Sequence, residues 1–149
     1  MLGRYQEAFE VILERAKIAP ESYGTYSYAA NALIAQGRYE EALEWAEQER
    51  LDGFRQTSLA IIHWHMGNRE KSDDALKALL AQQSGGWDWQ IVQARAVRGE
   101  IGEAFAAMEA AYENRDSGLQ LILGDKHIAN LRGDPRYDAM VRKIGIPVD

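Results

Sequence analysis

The sequence contains no cysteine, which excludes disulfide bonds, thiolate metal sites and thiol nucleophiles. It also lacks a basic excess, because 17 Lys and Arg stand against 23 Asp and Glu and give a formal net charge of −6. An acidic chain is a poor match for the phosphates of nucleic acids and for anionic lipid surfaces. We therefore expect no direct nucleic-acid binding and no membrane binding.

Long apolar runs are missing as well. No stretch approaches the roughly 20 residues that a bilayer-spanning helix needs, and the start of the chain lacks the basic flank and apolar core of a secretory signal. The 149 residues, of which 46% are hydrophobic, are enough for one compact domain or a short array of repeats. Together with the absence of cysteine, these features lead us to expect a cytoplasmic protein.

An internal repeat organises the first 114 residues. Residues 3–10 recur as residues 37–44, with identical residues at most positions and one Gln/Glu exchange. Weaker copies begin at Gly67 and Gly99, so the four glycines are spaced by 34, 30 and 32 residues. A fixed period of this size is typical of stacked helical or β repeats.

Each of the last three glycines separates two predicted helices, because apolar residues recur at helical spacing on both sides of it. The predicted first helices span residues 26–36, 54–66 and 87–98, and the predicted second helices span 39–50, 70–81 and 101–112. Small residues lie at the crossing positions, five residues after a glycine (Ala8, Ala42, Ser72, Ala104) or seven before it (Ala30, Ala60, Val92). The two backbones of each pair can therefore approach closely, and the repeating element is a helix hairpin.

These residues resemble the tetratricopeptide repeat (TPR), a helix–turn–helix repeat of about 34 residues. The second repeat matches the family pattern at Tyr26, Ala29, Ala30, Leu33, Gly37, Tyr39, Ala42 and Ala46, and the first matches at Gly3, Tyr5, Ala8, Ile12 and Pro20. Repeats three and four depart from it at Gln56, His63, Asp88 and Arg95. The resemblance implies an all-α fold, a right-handed superhelical stack of antiparallel helix hairpins. It divides residues 1–114 into a half repeat at 1–20 and repeats at about 22–51, 54–83 and 87–114.

Residues 115–149 are predicted to form a C-terminal capping segment. A polar break over 114–118 and a short apolar run over 119–123 come first, and Asp134 before Pro135 predicts the start of a capping helix over 135–143. Residues 131–147 resemble the end of the repeat regions in bacterial multidomain signalling proteins. That resemblance implies a cyclase, kinase or winged-helix domain upstream in a longer protein.

The first repeat has its second helix but not its first, since Gly3 comes so early in the chain. We therefore expect the chain to be a fragment of a larger protein. The alternative is a natural short protein whose first helix simply packs on the second repeat.

No arrangement of residues predicts catalysis. His63 and His65 point about 200° apart on a helix and cannot share a metal ion. The paired carboxylates are typical of a solvated helix face, and Gly85 and Gly86 lack the Lys and Ser or Thr of a phosphate-binding loop. We expect no enzyme activity, no cofactor and no metal.

In a TPR stack the first helix of each hairpin lines a concave groove that binds a partner peptide or helix. Counting back from each turn glycine selects Ser27, Asn31, Ile34 and Ala35; Thr57, Ile61, Trp64 and His65; and Trp89, Gln93, Ala96 and Val97. No Lys or Arg is among them, and only Asn31 matches the carboxylate clamp of some family members. Trp64 and Trp89 either anchor a partner segment or bury against adjacent helices, and both interpretations remain open.

Three functions are compatible with this pattern. The first is a protein-interaction scaffold or regulatory module that binds a partner in the groove. The alternative is homodimerisation through the uncovered face of the first helix, assigned to Tyr5, Phe9, Ile12 and Leu13. A third is the sensing of a small ligand for a fused catalytic domain.

Overall fold

The computed structural model describes residues 2–19, 22–82 and 85–147, and the regular elements of this part of the chain are helices, with no β-strand among them. The α-helices are α1 (Leu2–Ile18), α2 (Thr25–Ile34), α3 (Tyr39–Ala46), α4 (Asp52–His65), α5 (Arg69–Leu80), α6 (Asp88–Val97), α7 (Ile101–Glu113) and α8 (Pro135–Lys143). Two short 3₁₀ helices, Ser117–Leu121 and Ala129–Leu131, lie between α7 and α8. The all-α prediction is confirmed for the described residues, and no helix among them is both long and apolar enough to cross a membrane.

The three predicted glycine turns share one geometry. Gly37, Gly67 and Gly99 have φ of 72°, 78° and 75°, a left-handed conformation that glycine adopts without strain. In each turn the residue after the glycine donates its N–H to the carbonyl five residues back, as Arg38 does to Leu33 at 3.0 Å. Helices that pack together across so short a turn run in opposite directions.

The helices on either side of each turn pack together: α2 on α3, α4 on α5 and α6 on α7. Within the second pair, the Ser72 hydroxyl donates to the Ala60 carbonyl at 2.7 Å. This bond joins the positions five residues after and seven before Gly67. The small residues predicted at the helix crossing are therefore in contact in this pair.

The chain forms two compact units, residues 1–81 with α1 to α5 and residues 82–149 with α6 to α8. We call them the N-terminal and the C-terminal unit. The buried core of the first is rich in alanine and aliphatic residues, among them Ala29, Ala30, Leu33, Ala42, Ala46, Ala60, Ile61 and Ile62. The core of the second joins α6 and α7 to the C-terminal segment through Trp89, Val92, Phe105, Met108, Ile122, Ile128, Leu131 and Tyr137.

Several helix boundaries differ from the prediction, and those of α1 and α3 are the most informative. α1 begins at Leu2 and so includes Gly3, and it ends at Ile18; Pro20, predicted to end it, lies outside the described residues. α3 ends at Ala46 rather than at residue 50. The Glu49 carboxylate accepts the N–H groups of Arg50 and Leu51, at 3.0 and 3.1 Å, which ties these groups to a side chain instead of the helix.

The helix predicted over residues 135–143 is present as α8, with Pro135 in its first turn. The Asp134 carboxylate accepts the backbone N–H of Arg136 at 3.0 Å and pairs with its guanidinium. Hydrogen bonds from the side chain and then the backbone of Arg136 lower the pKa of Asp134 to about 2. The helix start is therefore held by a carboxylate that stays charged at physiological pH.

Candidate functional site

The predicted groove residues of the N-terminal unit divide into a buried and an accessible set. Ser27, Ile34, Thr57 and Ile61 are buried, Asn31 and Trp64 are partly exposed, and His65 is exposed. α2 packs against α4, which removes the buried set from water. Ala35 is also exposed, so Asn31, Ala35, Trp64 and His65 are the members of the predicted lining that a partner could reach.

The start of α2 is held by a buried carboxylate. Glu49 is 2% exposed, and its Oε2 accepts the backbone N–H of Ser27 at 3.2 Å. A first-turn N–H has no partner within its own helix, so this bond satisfies a group that would otherwise be orphaned. Ser27 therefore contributes its backbone to the fold rather than its side chain to a groove.

An accessible aromatic pair at the start of α2 and α4 escaped the sequence analysis. Tyr28 is 54% exposed, and a Cβ placed on Gly24 would lie 3.2 Å from its ring and 3.7 Å from the ring of Phe54. Gly24, at φ 78°, thus leaves room for both rings. Gly24, four residues before Tyr28 at a helix start, is the sequence signal from which this arrangement could have been predicted.

Trp64 and His65 lie near the end of α4 and each stacks on another side chain. The Arg69 guanidinium lies 3.4 Å from the centroid of the Trp64 ring, which is a cation–π contact. The His65 and Tyr39 rings stack at 5.1 Å with an interplanar angle of 8°. The positively charged Arg69 of α5 therefore lies on Trp64, a residue of the groove that was predicted to contain no Lys or Arg.

His63 lies inside the N-terminal unit at 8% exposure, and its Nδ1 has no hydrogen-bond partner among the described residues. Burial lowers the pKa of His63, the charge of Lys71 lowers it further, and Glu47 opposes them. Burial also lowers the pKa of His65. Within the described residues, no three His, Asp or Glu side chains are grouped in a way that could hold a metal ion.

In the C-terminal unit, the predicted groove residues Trp89, Gln93 and Ala96 form hydrogen bonds with the segment that follows α7. Trp89 is 0% exposed, and its Nε1–H donates to Asp125 Oδ2 at 3.1 Å. Gln93 Nε2 donates to the same oxygen at 2.7 Å, and Asn130 Nδ2 donates to the Ala96 carbonyl at 2.7 Å. Trp89 is therefore a core residue, which favours the second of its two interpretations, burial against adjacent helices, over the role of a partner anchor.

The loop after α7 fits closely against Trp89. Asp116 Oδ2 accepts the backbone N–H of Trp89 at 3.1 Å, in the way that Glu49 serves Ser27. A Cβ on Gly118 would lie 2.5 Å from Cβ and Cγ of Trp89. No other residue type fits at position 118 without movement of the backbone.

The residues predicted for self-association lie on the packed side of α1. Phe9 is 8% exposed and meets the Trp45 ring edge-on at 5.6 Å, while Tyr5, Ile12 and Leu13 are partly buried. α1 packs on α2, so this apolar face is already covered. The exposed residues of α1 are mixed in character: Arg4, Glu7, Ala8, Glu10, Val11, Glu14, Arg15, Lys17 and Ile18.

Two ion pairs of the C-terminal unit are partly buried. Arg95 and Arg98 both pair with Glu100, at 2.6 and 2.8 Å. Burial alone would raise the pKa of Glu100, but hydrogen bonds from Arg98 and Arg95 outweigh it and hold the pKa below its ordinary value. These groups stabilise the turn at Gly99.

Comparison with protein-family models, with curated proteins and with solved structures found no match.

Proposed function

We propose that this chain is a helical-repeat module for protein–protein interaction, arranged as a right-handed TPR-like stack. In this proposal the N-terminal unit binds an extended or helical partner segment on the accessible side of α2 and α4. The binding residues are Tyr28, Asn31, Trp64 and His65.

The observation that carries the proposal is the exposure of aromatic side chains on packed helices. Tyr28 is 54% exposed beside Phe54, and Trp64 is partly exposed under the Arg69 guanidinium. Aromatic and arginine side chains dominate the binding energy of protein interfaces, because they bury a large area at a low cost in side-chain entropy. Helices packed on a buried core hold these side chains in fixed positions.

The polar groups of this surface determine which partner segments could bind to it. Arg69 supplies a positive charge on the Trp64 ring, while Tyr28 and Asn31 supply a hydroxyl and an amide. We expect a segment with one or two apolar side chains and a carboxylate or carbonyl placed for Arg69. A strongly basic segment would not fit Arg69.

The experiment is a selection of short random peptides on the full chain, followed by affinity measurements with single variants. Tyr28→Ala and Trp64→Ala are each expected to weaken the selected peptides by about tenfold or more. Tyr112→Ala is the matched control, since Tyr112 is an exposed aromatic residue on α7 in the C-terminal unit. Equal affinity for all three variants would contradict the proposal.

Nuclear magnetic resonance gives the location of binding independently of affinity. The amide signals of residues 24–35 and 54–69 are expected to shift on peptide addition. Shifts confined to α1 or to the C-terminal unit would show that the assigned surface is wrong.

A further inference from the structure

His65 is the residue of the proposed binding surface whose charge can change near neutral pH. It lies at the end of α4 and is exposed, and its ring stacks on that of Tyr39 at 5.1 Å with an interplanar angle of 8°. It directly follows Trp64, whose ring carries the Arg69 guanidinium at 3.4 Å. An accessible imidazole is therefore the chain neighbour of the proposed anchor.

We propose that this surface is regulated by protonation: His65 takes up a proton when a partner segment with a carboxylate binds. The inference rests on the proposed function, since it concerns the same surface and the same class of partner. In the bound state the imidazolium adds a second positive charge to that of Arg69. Binding is therefore stronger in mildly acidic than in mildly basic solution.

The helices that pack on α4, which are α2, α3 and α5, leave His65 mostly uncharged in the free protein at neutral pH. α2 contains no charged residue, and Tyr39 is the α3 residue that stacks on His65. The charged residues of α3 and α5 are Glu40, Glu41, Glu44, Arg69, Glu70, Lys71, Asp73, Asp74 and Lys77. Burial lowers the pKa of His65, and none of these charges contributes to the shift.

The surroundings of His65 nevertheless allow the folded chain to hold its protonated form. A cation over the face of an aromatic ring is attracted by the ring, so the Tyr39 stack favours an imidazolium. The side chain is also exposed, and water solvates its charge. His63, in contrast, is 8% exposed, and its protonation opposes folding. Of these two histidines, His65 is the one that can bind a proton without a loss of structure.

A partner carboxylate supplies the interaction that His65 lacks in the free protein. An opposite charge within about 4–6 Å favours the charged form of a histidine and raises its pKa. When the pKa is higher in the bound than in the free state, affinity increases as the pH falls through the bound-state value. A rise of one pKa unit corresponds to about a tenfold gain in affinity, and half a unit to about threefold.

The test uses the full chain and a matched pair of capped synthetic peptides. The first is the tightest peptide from the selection that contains one Asp or Glu and no His, and the second has Asn or Gln in place of that acid. Affinities are measured between pH 8 and pH 5.5, where a peptide carboxylate with a pKa of about 4 remains charged. The acidic peptide is expected to bind about threefold more tightly or better at pH 5.5, and the amide peptide to show no such gain.

Variants of the three histidines in the chain assign the effect to one residue. His65→Gln keeps a polar side chain and removes the titrating group, so it is expected to abolish the pH dependence. His63→Gln and His127→Gln are the matched controls and are expected to keep it. Arg69→Gln removes a charge that does not titrate in this range, so it is expected to weaken the acidic peptide at both pH values.

Nuclear magnetic resonance measures the proton uptake directly. The imidazole signals of His65 are expected to titrate at a higher pH in the peptide complex than in the free chain. The same pKa in both states, a pH dependence that persists in His65→Gln, or a selection that yields no acidic peptide would overturn the proposal.

The failure of this inference and the failure of the proposed function are distinguishable. Peptides that bind through Tyr28 and Trp64 with the same affinity at pH 8 and pH 5.5 would overturn the regulation and leave the binding surface in place. The absence of peptide binding at either pH would overturn both.

Discussion

The residues predicted to line a groove are partly exposed to water in the N-terminal unit and buried in the C-terminal unit. In the N-terminal unit, Asn31 and Trp64 keep part of their surface in contact with water. In the C-terminal unit, Trp89 is fully buried and shares the Asp125 carboxylate with Gln93. The repeat register therefore indicates which way a residue points, while the element that follows determines whether the residue remains accessible.

The difference originates in what comes after the second helix. α3 is followed within a few residues by the next long helix, α4, which packs against α2. α7 is followed by two short 3₁₀ helices, which bring Asp116 and Asp125 back to α6. A long helix such as α4 covers only one side of the helix it packs on. An irregular segment, such as the one after α7, can bend around a helix and bury more of its side chains.

The largest expected effect distinguishes the two tryptophans. Trp89→Ala removes a fully buried ring and is expected to cost about 4 kcal/mol of unfolding free energy. Trp64→Ala removes a partly exposed ring and one cation–π contact, and is expected to cost about 1 kcal/mol. Chemical denaturation of both variants measures the difference. Equal losses would show that Trp64 is also a core residue and would remove the main anchor of the proposed groove.

Gly118→Ala tests the close fit of the C-terminal segment. The added Cβ would lie 2.5 Å from Trp89 Cβ, and the resulting shift of backbone or ring is expected to cost about 3 kcal/mol, the upper part of the range for overpacking. Gly102→Ala is the control, because nothing lies within 4 Å of a Cβ at that position. If the two variants were equally stable, the loop would be free to move away from Trp89.

Asp125→Ala tests the polar contacts that hold α6. Trp89 Nε1 and Gln93 Nε2 would both lose their acceptor, and an unpaired buried donor costs about 2 kcal/mol. The measurement is the thermal midpoint of unfolding, with Asp138→Ala, an exposed residue on α8, as the control. A midpoint that does not change would mean that water replaces the carboxylate without loss.

Much of the fold could be predicted from the sequence, because it depends on local rules. The left-handed glycine turns, the helices around them and the Asp134–Pro135 start of α8 all follow from a few adjacent residues. The early end of α3 was not predicted, since it depends on Glu49 reaching the N–H of Ser27, 22 residues away. A side chain that caps a distant helix leaves no periodic signal.

The candidate site was harder to predict for the same reason. Counting back from the turn glycines gave positions on α2 and α4, but their burial depends on contacts between helices, so Ser27 and Ile61 are core residues. The self-association residues were chosen because they are apolar. Phe9, however, is buried within the N-terminal unit, where α1 packs on α2, so its apolar side chain belongs to the core. The apolar residues on the accessible side of α1 are Val11 and Ile18, 70% and 83% exposed, which the sequence analysis did not select.

The smallest expected effect is a pH dependence of the N-terminal unit, where both histidines with a lowered pKa lie. His63 is buried, and burial followed by the charge of Lys71 lowers its pKa. Well above the ordinary histidine pKa of about 6.5, the folded and unfolded chains both hold it uncharged, and it does not affect the stability there. As the pH falls below the ordinary histidine value of about 6.5, the unfolded chain binds a proton that the folded chain resists, and the stability decreases.

The loss from this one group cannot exceed about 1.4 kcal/mol per pH unit. His63→Gln removes the titrating group while it keeps a polar side chain of similar reach, so the variant is expected to lose less stability than the wild type between pH 7 and pH 5. Denaturation midpoints at both values, measured for the two proteins, give the difference directly. His65→Gln is expected to show a smaller change, because His65 is exposed and its ring stacks on Tyr39 in water. If His63→Gln had the same pH dependence as the wild type, the acid sensitivity would belong to the carboxylates that both proteins share.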